Sequence, residues 1–121
     1  MNPLKVLVVD DDEIVCALLK AILTKQGHTA TTHTSPMSGL SAAGSGQFDL
    51  VLLDIKMPVL DGVEALKQMR RILPKAKFVM ITASAADERV GDALSSGASL
   101  CLGKPFDSDM VEELLGTLFA A

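Results

Sequence analysis

The feature that most constrains the fold of this chain is a regular alternation of apolar segments of strand length with segments of helical period. The predicted strands are residues 5–10, 29–33, 49–54, 77–82 and 99–102. The predicted helices are residues 13–26, 35–45, 61–73, 85–96 and 107–119. Five successive strand–helix units predict an α/β fold with a parallel, right-handed, doubly wound sheet.

The apolar pattern within the strands predicts their positions in that sheet. Residues 6–9, 50–53 and 78–81 are continuously apolar, as in strands that are covered on both faces. Residues 29–33 are mostly polar, which indicates an edge strand. Helix starts and ends are marked by capping residues, prolines and glycines, namely Ser35-Pro36, Asp61, Asp87, Asp107, Gly27 and Gly97.

Length and composition limit the class of protein. A chain of 121 residues predicts one domain, spanning 1–121, and 49% hydrophobic residues without Trp or Tyr predict an aliphatic core. The longest apolar run, 14–19, is far shorter than the roughly 20 residues that cross a membrane, and no secretory segment is evident. We therefore expect a cytoplasmic protein that does not contact a membrane. A net charge of −4 without a basic run predicts no direct contact with nucleic acid.

Polar residues follow the apolar strands, where chemistry is expected. Three consecutive aspartates (10–12) follow strand one, Asp54 ends strand three, Thr82 ends strand four, and Lys104 follows strand five. Because the carboxyl ends of parallel strands meet at one edge of the sheet, these side chains should converge there.

Each of these residues also has a purely structural interpretation. Asp12 is expected to cap the following helix, Thr82 could be an ordinary strand residue, and Lys104 could be a solvated surface charge. Several carboxylates at the mouth of an apolar sheet nevertheless repel one another, so a cation is expected among them. Oxygen ligands without His or Cys favour Mg²⁺. A carboxylate, a divalent cation and an ammonium together indicate phosphoryl transfer to an aspartate.

Short motifs, in order and at the right spacing, then identify a family. The chain resembles the receiver domain of two-component response regulators over essentially its whole length. The matching segments are Val8-Val9-Asp10-Asp11, residues 52–58 with Asp61-Gly62, Thr82-Ala83, and Lys104-Pro105-Phe106.

The resemblance implies a flavodoxin-like architecture with strand order 2-1-3-4-5, five helices, and a metal-dependent phosphorylation site. Asp54 would accept a phosphoryl group from a phosphohistidine donor. Asp11 would bind Mg²⁺ directly, Asp10 would bind it directly or through water, and Asp54 and the backbone carbonyl of Lys56 would complete the site.

The resemblance further implies a switch. Thr82 would donate a hydrogen bond to one phosphoryl oxygen, Lys104 would pair with another, and the peptide before Pro105 would be cis. Phosphorylation would draw Thr82 inward and change the surface of helix four, strand five and helix five. Such a protein catalyses only its own phosphorylation and dephosphorylation.

Three positions bear on that switch. Cys101 stands where the family commonly has an aromatic side chain, so the usual coupling between threonine and aromatic residue is not expected. This thiol and that of Cys16 have no metal-ligand spacing and predict reduced, buried cysteines. Lys56 and Ser84, two residues after Asp54 and Thr82, would tune dephosphorylation. The Lys56 side chain would either touch the phosphoryl group or extend into solvent.

The expected partners are a sensor histidine kinase or phosphotransfer protein and a downstream protein or output domain. A homodimer through the surface of helix four, strand five and helix five is also possible by resemblance. Three other functions stay open: a mononucleotide-binding flavodoxin, an Mg²⁺-dependent phosphohydrolase, and a receiver-like module that binds partners without phosphorylation. The aspartates after strand one disfavour the first, and the residues after Asp54 do not match the second.

Overall fold

The computed structural model describes residues 2–84 and 86–120 of the chain. Its centre is a parallel five-stranded sheet in the order β2-β1-β3-β4-β5, as expected. The strands are β1 (Lys5–Val9), β2 (Thr29–His33), β3 (Leu50–Asp54), β4 (Lys77–Thr82) and β5 (Leu100–Gly103). The three strands with continuous apolar sequences occupy the middle of the sheet, and the polar strand β2 lies at an edge.

Helices cover both faces of the sheet, which confirms the doubly wound fold. They are α1 (Glu13–Lys25), α2 (Pro36–Ser45), α3 (Gly62–Ile72), α4 (Arg89–Ser95) and α5 (Ser108–Phe119). Successive strand residues point to opposite faces. Val6 and Val8 therefore pack with α1 and α5, whereas Leu7 and Val9 pack with α2, α3 and α4.

The helix boundaries follow the local signals in the sequence. Ser35, Asp61 and Asp107 are N-caps whose side chains accept backbone N–H groups, and Pro36 begins α2. Gly27 and Gly97 have φ values of +92° and +113°, which glycine adopts without strain. Most predicted boundaries are within one residue of those observed.

The predicted extent of the fourth helix, 85–96, is wrong, because α4 begins only at Arg89; residue 85 itself lies outside the described residues. Residues 86–88, which precede α4, form a loop held by local hydrogen bonds. Asp87 N–H donates to the carbonyl of Ser84, and the Asp87 carboxylate accepts the Arg89 N–H at 2.9 Å. Such side-chain bonds to the backbone compete with helix formation.

None of the helices in the described part of the chain has the length and hydrophobicity that a membrane-spanning helix requires.

Candidate functional site

The sequence-predicted site residues meet at the carboxyl edge of the sheet. Asp10 directly follows β1, Asp54 and Thr82 are the last residues of β3 and β4, and Lys104 directly follows β5. A cavity of about 440 Å³ opens at this edge. Its lining includes Asp11, Asp12, Asp54, Lys56, Thr82, Ser84, Asp87 and Lys104.

Three carboxylates form the acidic part of the site. Asp10, Asp11 and Asp54 each contribute one oxygen to a group whose members lie within 4.8 Å of one another. Asp10 is completely buried, and its Oδ1 accepts the Asp12 N–H at 2.9 Å. Its buried Oδ2 forms an ion pair with the Lys104 ammonium at 3.1 Å. Three carboxylates gathered this closely around a single ammonium suit a hard divalent cation.

Burial and neighbouring charges change the pKa values of Asp54 and Lys104. Burial and the negative charge of Asp10 raise the pKa of Asp54 from 3.8 to about 7, although Lys104 and the Lys56 N–H act in the opposite direction. Partial burial lowers the pKa of Lys104, but its contact with Asp10 and the charge of Asp54 outweigh that effect, so the pKa is raised. Lys104 therefore remains an ammonium near neutral pH. Asp54, with its pKa raised to about 7, is only partly ionised there.

Asp12 serves the structural role predicted for it. Its side chain accepts the Ile14 N–H at 2.8 Å and caps α1. Cys16, one turn into the same helix, is buried as predicted, and its thiol donates to the backbone carbonyl of Asp10 at 3.2 Å. Nothing in the spacing of Cys16 predicts this contact, which depends on how α1 packs against β1.

Glycine at position 62 allows α3 to begin directly against the end of β3. A Cβ atom at this position would overlap the Asp54 carbonyl oxygen, and the Gly62 N–H donates to the Ile55 carbonyl at 2.9 Å. Asp61 caps the helix beside it. The Asp61-Gly62 pair thus lets the start of α3 pack against the backbone of Asp54 and Ile55.

The hydroxyl of Thr82 is engaged by its own loop. Its Oγ1 donates to the Ser84 carbonyl at 2.8 Å and accepts the Ser84 N–H at 3.1 Å. Thr82 must therefore release the Ser84 carbonyl before it can donate a hydrogen bond to a group bound at Asp54.

The peptide between Lys104 and Pro105 is cis, as the resemblance implied.

The three positions predicted to influence the switch, Lys56, Ser84 and Cys101, differ in their surroundings. Lys56 donates its backbone N–H to Asp54 Oδ1 at 3.2 Å, while its side chain is 72% exposed with Nζ 3.7 Å from Asp87. Ser84 is exposed at the cavity. Cys101 lies within β5, beside Met80, and is only partly buried, so the prediction of a buried thiol is wrong at this edge strand. Partial burial raises the pKa of the Cys101 thiol.

Sequence reasoning missed that Asp87 lines the cavity and that Arg89 forms an ion pair with it. Arg89 binds the Asp87 carboxylate with Nε at 3.3 Å and Nη2 at 3.2 Å. The hydrogen bonds to Arg89 lower the pKa of Asp87. The acid and the arginine lie two residues apart in the sequence, which was the available signal, but Asp87 was interpreted only as a helix-start residue.

Comparisons with known proteins agree with this geometry. The family model described as the response regulator receiver domain matches residues 6–115. Over 110 residues the chain is 36% identical to the transcriptional regulatory protein ZraR of Salmonella typhimurium; this covers 91% of the chain but only 25% of ZraR. The chain thus spans about a quarter of that relative's length.

Two solved structures have the same fold. The chemotaxis protein CheY4 of Vibrio cholerae superposes with a TM-score of 0.91 at 26% identity, covering 98% of this chain and all of CheY4. The receiver domain of sensor histidine kinase PA1611 from Pseudomonas aeruginosa superposes with a TM-score of 0.86 at 24% identity, covering 96% and 97% of the two chains. That structure has a magnesium ion coordinated in its active site cleft.

Proposed function

Because this chain belongs to the response regulator receiver domain family of two-component systems, we propose that Asp54 is its phosphoacceptor and that phosphorylation requires Mg²⁺. A receiver domain of this family is a signalling switch. The observation that carries the proposal is the convergence of Asp10, Asp11, Asp54 and Lys104, which gathers three carboxylates and one ammonium at one edge of the sheet. The family match to 6–115 supports the further proposal that 1–121 forms one receiver domain.

The proposed reaction is an in-line phosphoryl transfer. An ionised Asp54 oxygen attacks the phosphorus of a phosphohistidine donor, an acyl phosphate bond forms, and the phosphorus–nitrogen bond breaks. The released imidazole takes its proton from solvent. Lys104, whose ammonium lies 3.9 Å from Asp54, neutralises one phosphoryl oxygen, and Thr82 donates a hydrogen bond to another.

The oxygen donors of the site fit a magnesium ion. Asp10, Asp11, Asp54 and the backbone carbonyl of Lys56 would hold it. When bound, the ion would neutralise phosphoryl charge and favour the ionised form of Asp54. The PA1611 receiver domain, with its magnesium in the cleft, supports this proposal for the present chain.

We further propose that phosphorylation changes the surface of α4, β5 and α5. The trigger is the exchange of the Thr82 hydrogen bond from the Ser84 carbonyl to the phosphoryl group. Because the Cys101 side chain is small, the movement of Thr82 would not displace a bulky side chain on β5. The conformational change would therefore take place in the β4–α4 loop itself. Ser84 and Lys56, at the cavity wall, would tune the phosphoryl lifetime.

The proposed partners are a sensor histidine kinase or phosphotransfer protein upstream and an output domain or separate protein downstream. Relatives such as ZraR are longer transcriptional regulators, which supports an output partner. The charged residues of α5 are all acidic, so two copies whose α5 helices faced each other would bring like charges together. We therefore favour a different downstream partner over the homodimer. A cytoplasmic location, without direct contact to nucleic acid, belongs to the same proposal.

Intact mass spectrometry tests the phosphorylation directly. The chain is incubated with acetyl phosphate, with Mg²⁺ or with EDTA, and compared with Asp54→Asn and with the control Asp92→Asn, which removes an exposed carboxylate of α4. We expect one added phosphoryl group in the wild type and in Asp92→Asn, only with Mg²⁺, and none in Asp54→Asn. A wild-type chain that binds Mg²⁺ but gains no mass would instead support a receiver-like module that works without phosphorylation.

A further inference from the structure

An ion pair joins the two loops that border the proposed phosphorylation site. Lys56 lies in the loop between β3 and α3, and Asp87 lies in the loop between β4 and α4. The Lys56 Nζ is 3.7 Å from Asp87 Oδ2. Both side chains line the cavity that contains Asp54.

The two partners of this pair are unequally constrained. The Asp87 side chain is only 11% exposed and accepts three hydrogen bonds from Arg89, through the backbone N–H, Nε and Nη2. The Lys56 side chain is 72% exposed, and Asp87 is its ion-pair partner among the described residues. Asp87 therefore keeps its place without Lys56, whereas the position of the Lys56 ammonium depends on Asp87.

Lys56 is also tethered to the acceptor itself. Its backbone N–H donates to Asp54 Oδ1 at 3.2 Å, so its flexible side chain starts beside the site of phosphorylation. A phosphoryl group on Asp54 would carry a charge of about −1.5 to −2 and three acceptor oxygens. It would offer the ammonium a stronger anion than the single carboxylate of Asp87.

Building on the proposed function, we infer that Asp87 is a positioning residue that holds the Lys56 ammonium away from Asp54, and that a phosphoryl group on Asp54 competes with Asp87 for it. When Lys56 leaves, the β4–α4 loop loses its ionic link to the β3–α3 loop. Because Arg89 is both the first residue of α4 and the main partner of Asp87, this release reaches the start of α4. The charge state of Asp54 is thereby communicated to α4 by a second route beside that of Thr82.

Beryllofluoride, a phosphoryl mimic that binds an aspartate in the presence of Mg²⁺, provides a probe without turnover. Its affinity is measured for the wild type, Asp87→Asn, Lys56→Met and the double variant. Asparagine keeps the Oδ1 acceptor for Arg89 but removes the charge that holds Lys56. We expect Asp87→Asn to tighten binding about two- to fivefold when Lys56 is present, the range for a partly exposed ion pair. The gain should be much smaller when Lys56 is replaced by Met.

Control variants and outcomes separate this inference from the proposed function. Glu88→Gln removes an exposed charge from the same loop and should leave the affinity unchanged. An equal gain from Asp87→Asn in both Lys56 backgrounds would show direct repulsion of the anion by Asp87 and would overturn the inference alone. A wild-type chain that binds Mg²⁺ but no beryllofluoride would overturn the proposed function and the inference with it.

Discussion

Ionised Asp54 should destabilise the folded chain in the absence of metal, so Asp54→Asn should stabilise it. Asp54 is 5% exposed and lies beside the fully buried Asp10. Burial and the charge of Asp10 raise the pKa of Asp54 from 3.8 to about 7 in the folded state. Asparagine has nearly the same shape, can still accept the Lys56 N–H through its Oδ1, and carries no charge to bury.

The sign and size of the effect follow from proton linkage. Between about pH 4 and pH 7 the folded chain keeps the Asp54 proton that the unfolded chain has lost. The free energy of unfolding therefore falls as pH rises through this window and is level, for this group, above it. A shift of roughly three pKa units corresponds to about 4 kcal/mol. The free energy of unfolding of Asp54→Asn should thus exceed that of the wild type by about 4 kcal/mol at pH 8 and by less than half as much at pH 5.

Urea titrations at these two pH values, in EDTA, measure the difference. Asp92→Asn, which removes an exposed carboxylate from α4, is the control and should match the wild type closely at both. The slope of the free energy with urea should be unchanged in all three chains, because the same surface unfolds. An Asp54→Asn variant that is no more stable than the wild type at pH 8 would refute this description of the site.

Three further predictions concern the backbone and the metal. Val59→Asn should raise the free energy of unfolding by about 1 kcal/mol in urea titration, since Val59 holds a φ of +73° with its side chain 96% exposed; a lower midpoint would contradict this. Gly62→Ala should lower the free energy of unfolding by about 2 kcal/mol, because the alanine Cβ would overlap the Asp54 carbonyl oxygen. Its control Gly44→Ala, on α2, places a Cβ in open space and should leave the free energy of unfolding unchanged or raise it. Mg²⁺ affinity measured by calorimetry should weaken as pH falls below about 7, since the protonated form of Asp54 cannot bind the ion; equal affinities at pH 6 and pH 8 would argue against the acidic site.

The sheet was predictable because its strands differ clearly in hydrophobicity. The buried strands β1, β3 and β4 have continuous apolar sequences, and the edge strand β2 is polar. Four of the five helices follow periodicity and strong capping signals. The start of α4 was mispredicted because residues 86–88 form a loop, and the helix begins two residues after Asp87, whose carboxylate accepts the Arg89 N–H.

The candidate site was predictable as a set of residues but not in its detail. Parallel strands necessarily bring Asp10, Asp54, Thr82 and Lys104 to one edge, so their meeting follows from the fold. Contacts between separate loops do not follow from periodicity. The approach of Lys56 to Asp87 depends on the path of two irregular loops, which sequence pattern does not specify.

The most direct test of the central claim is to locate the acyl phosphate. The chain is treated with acetyl phosphate and Mg²⁺ and then with borohydride, which reduces an aspartyl phosphate to homoserine, and its peptides are sequenced by mass spectrometry. We predict homoserine at position 54 and none at positions 10, 11, 12 or 61. Homoserine at another aspartate, or a phosphoryl group that resists borohydride because it lies on a hydroxyl, would contradict the assignment of Asp54 as the phosphoacceptor.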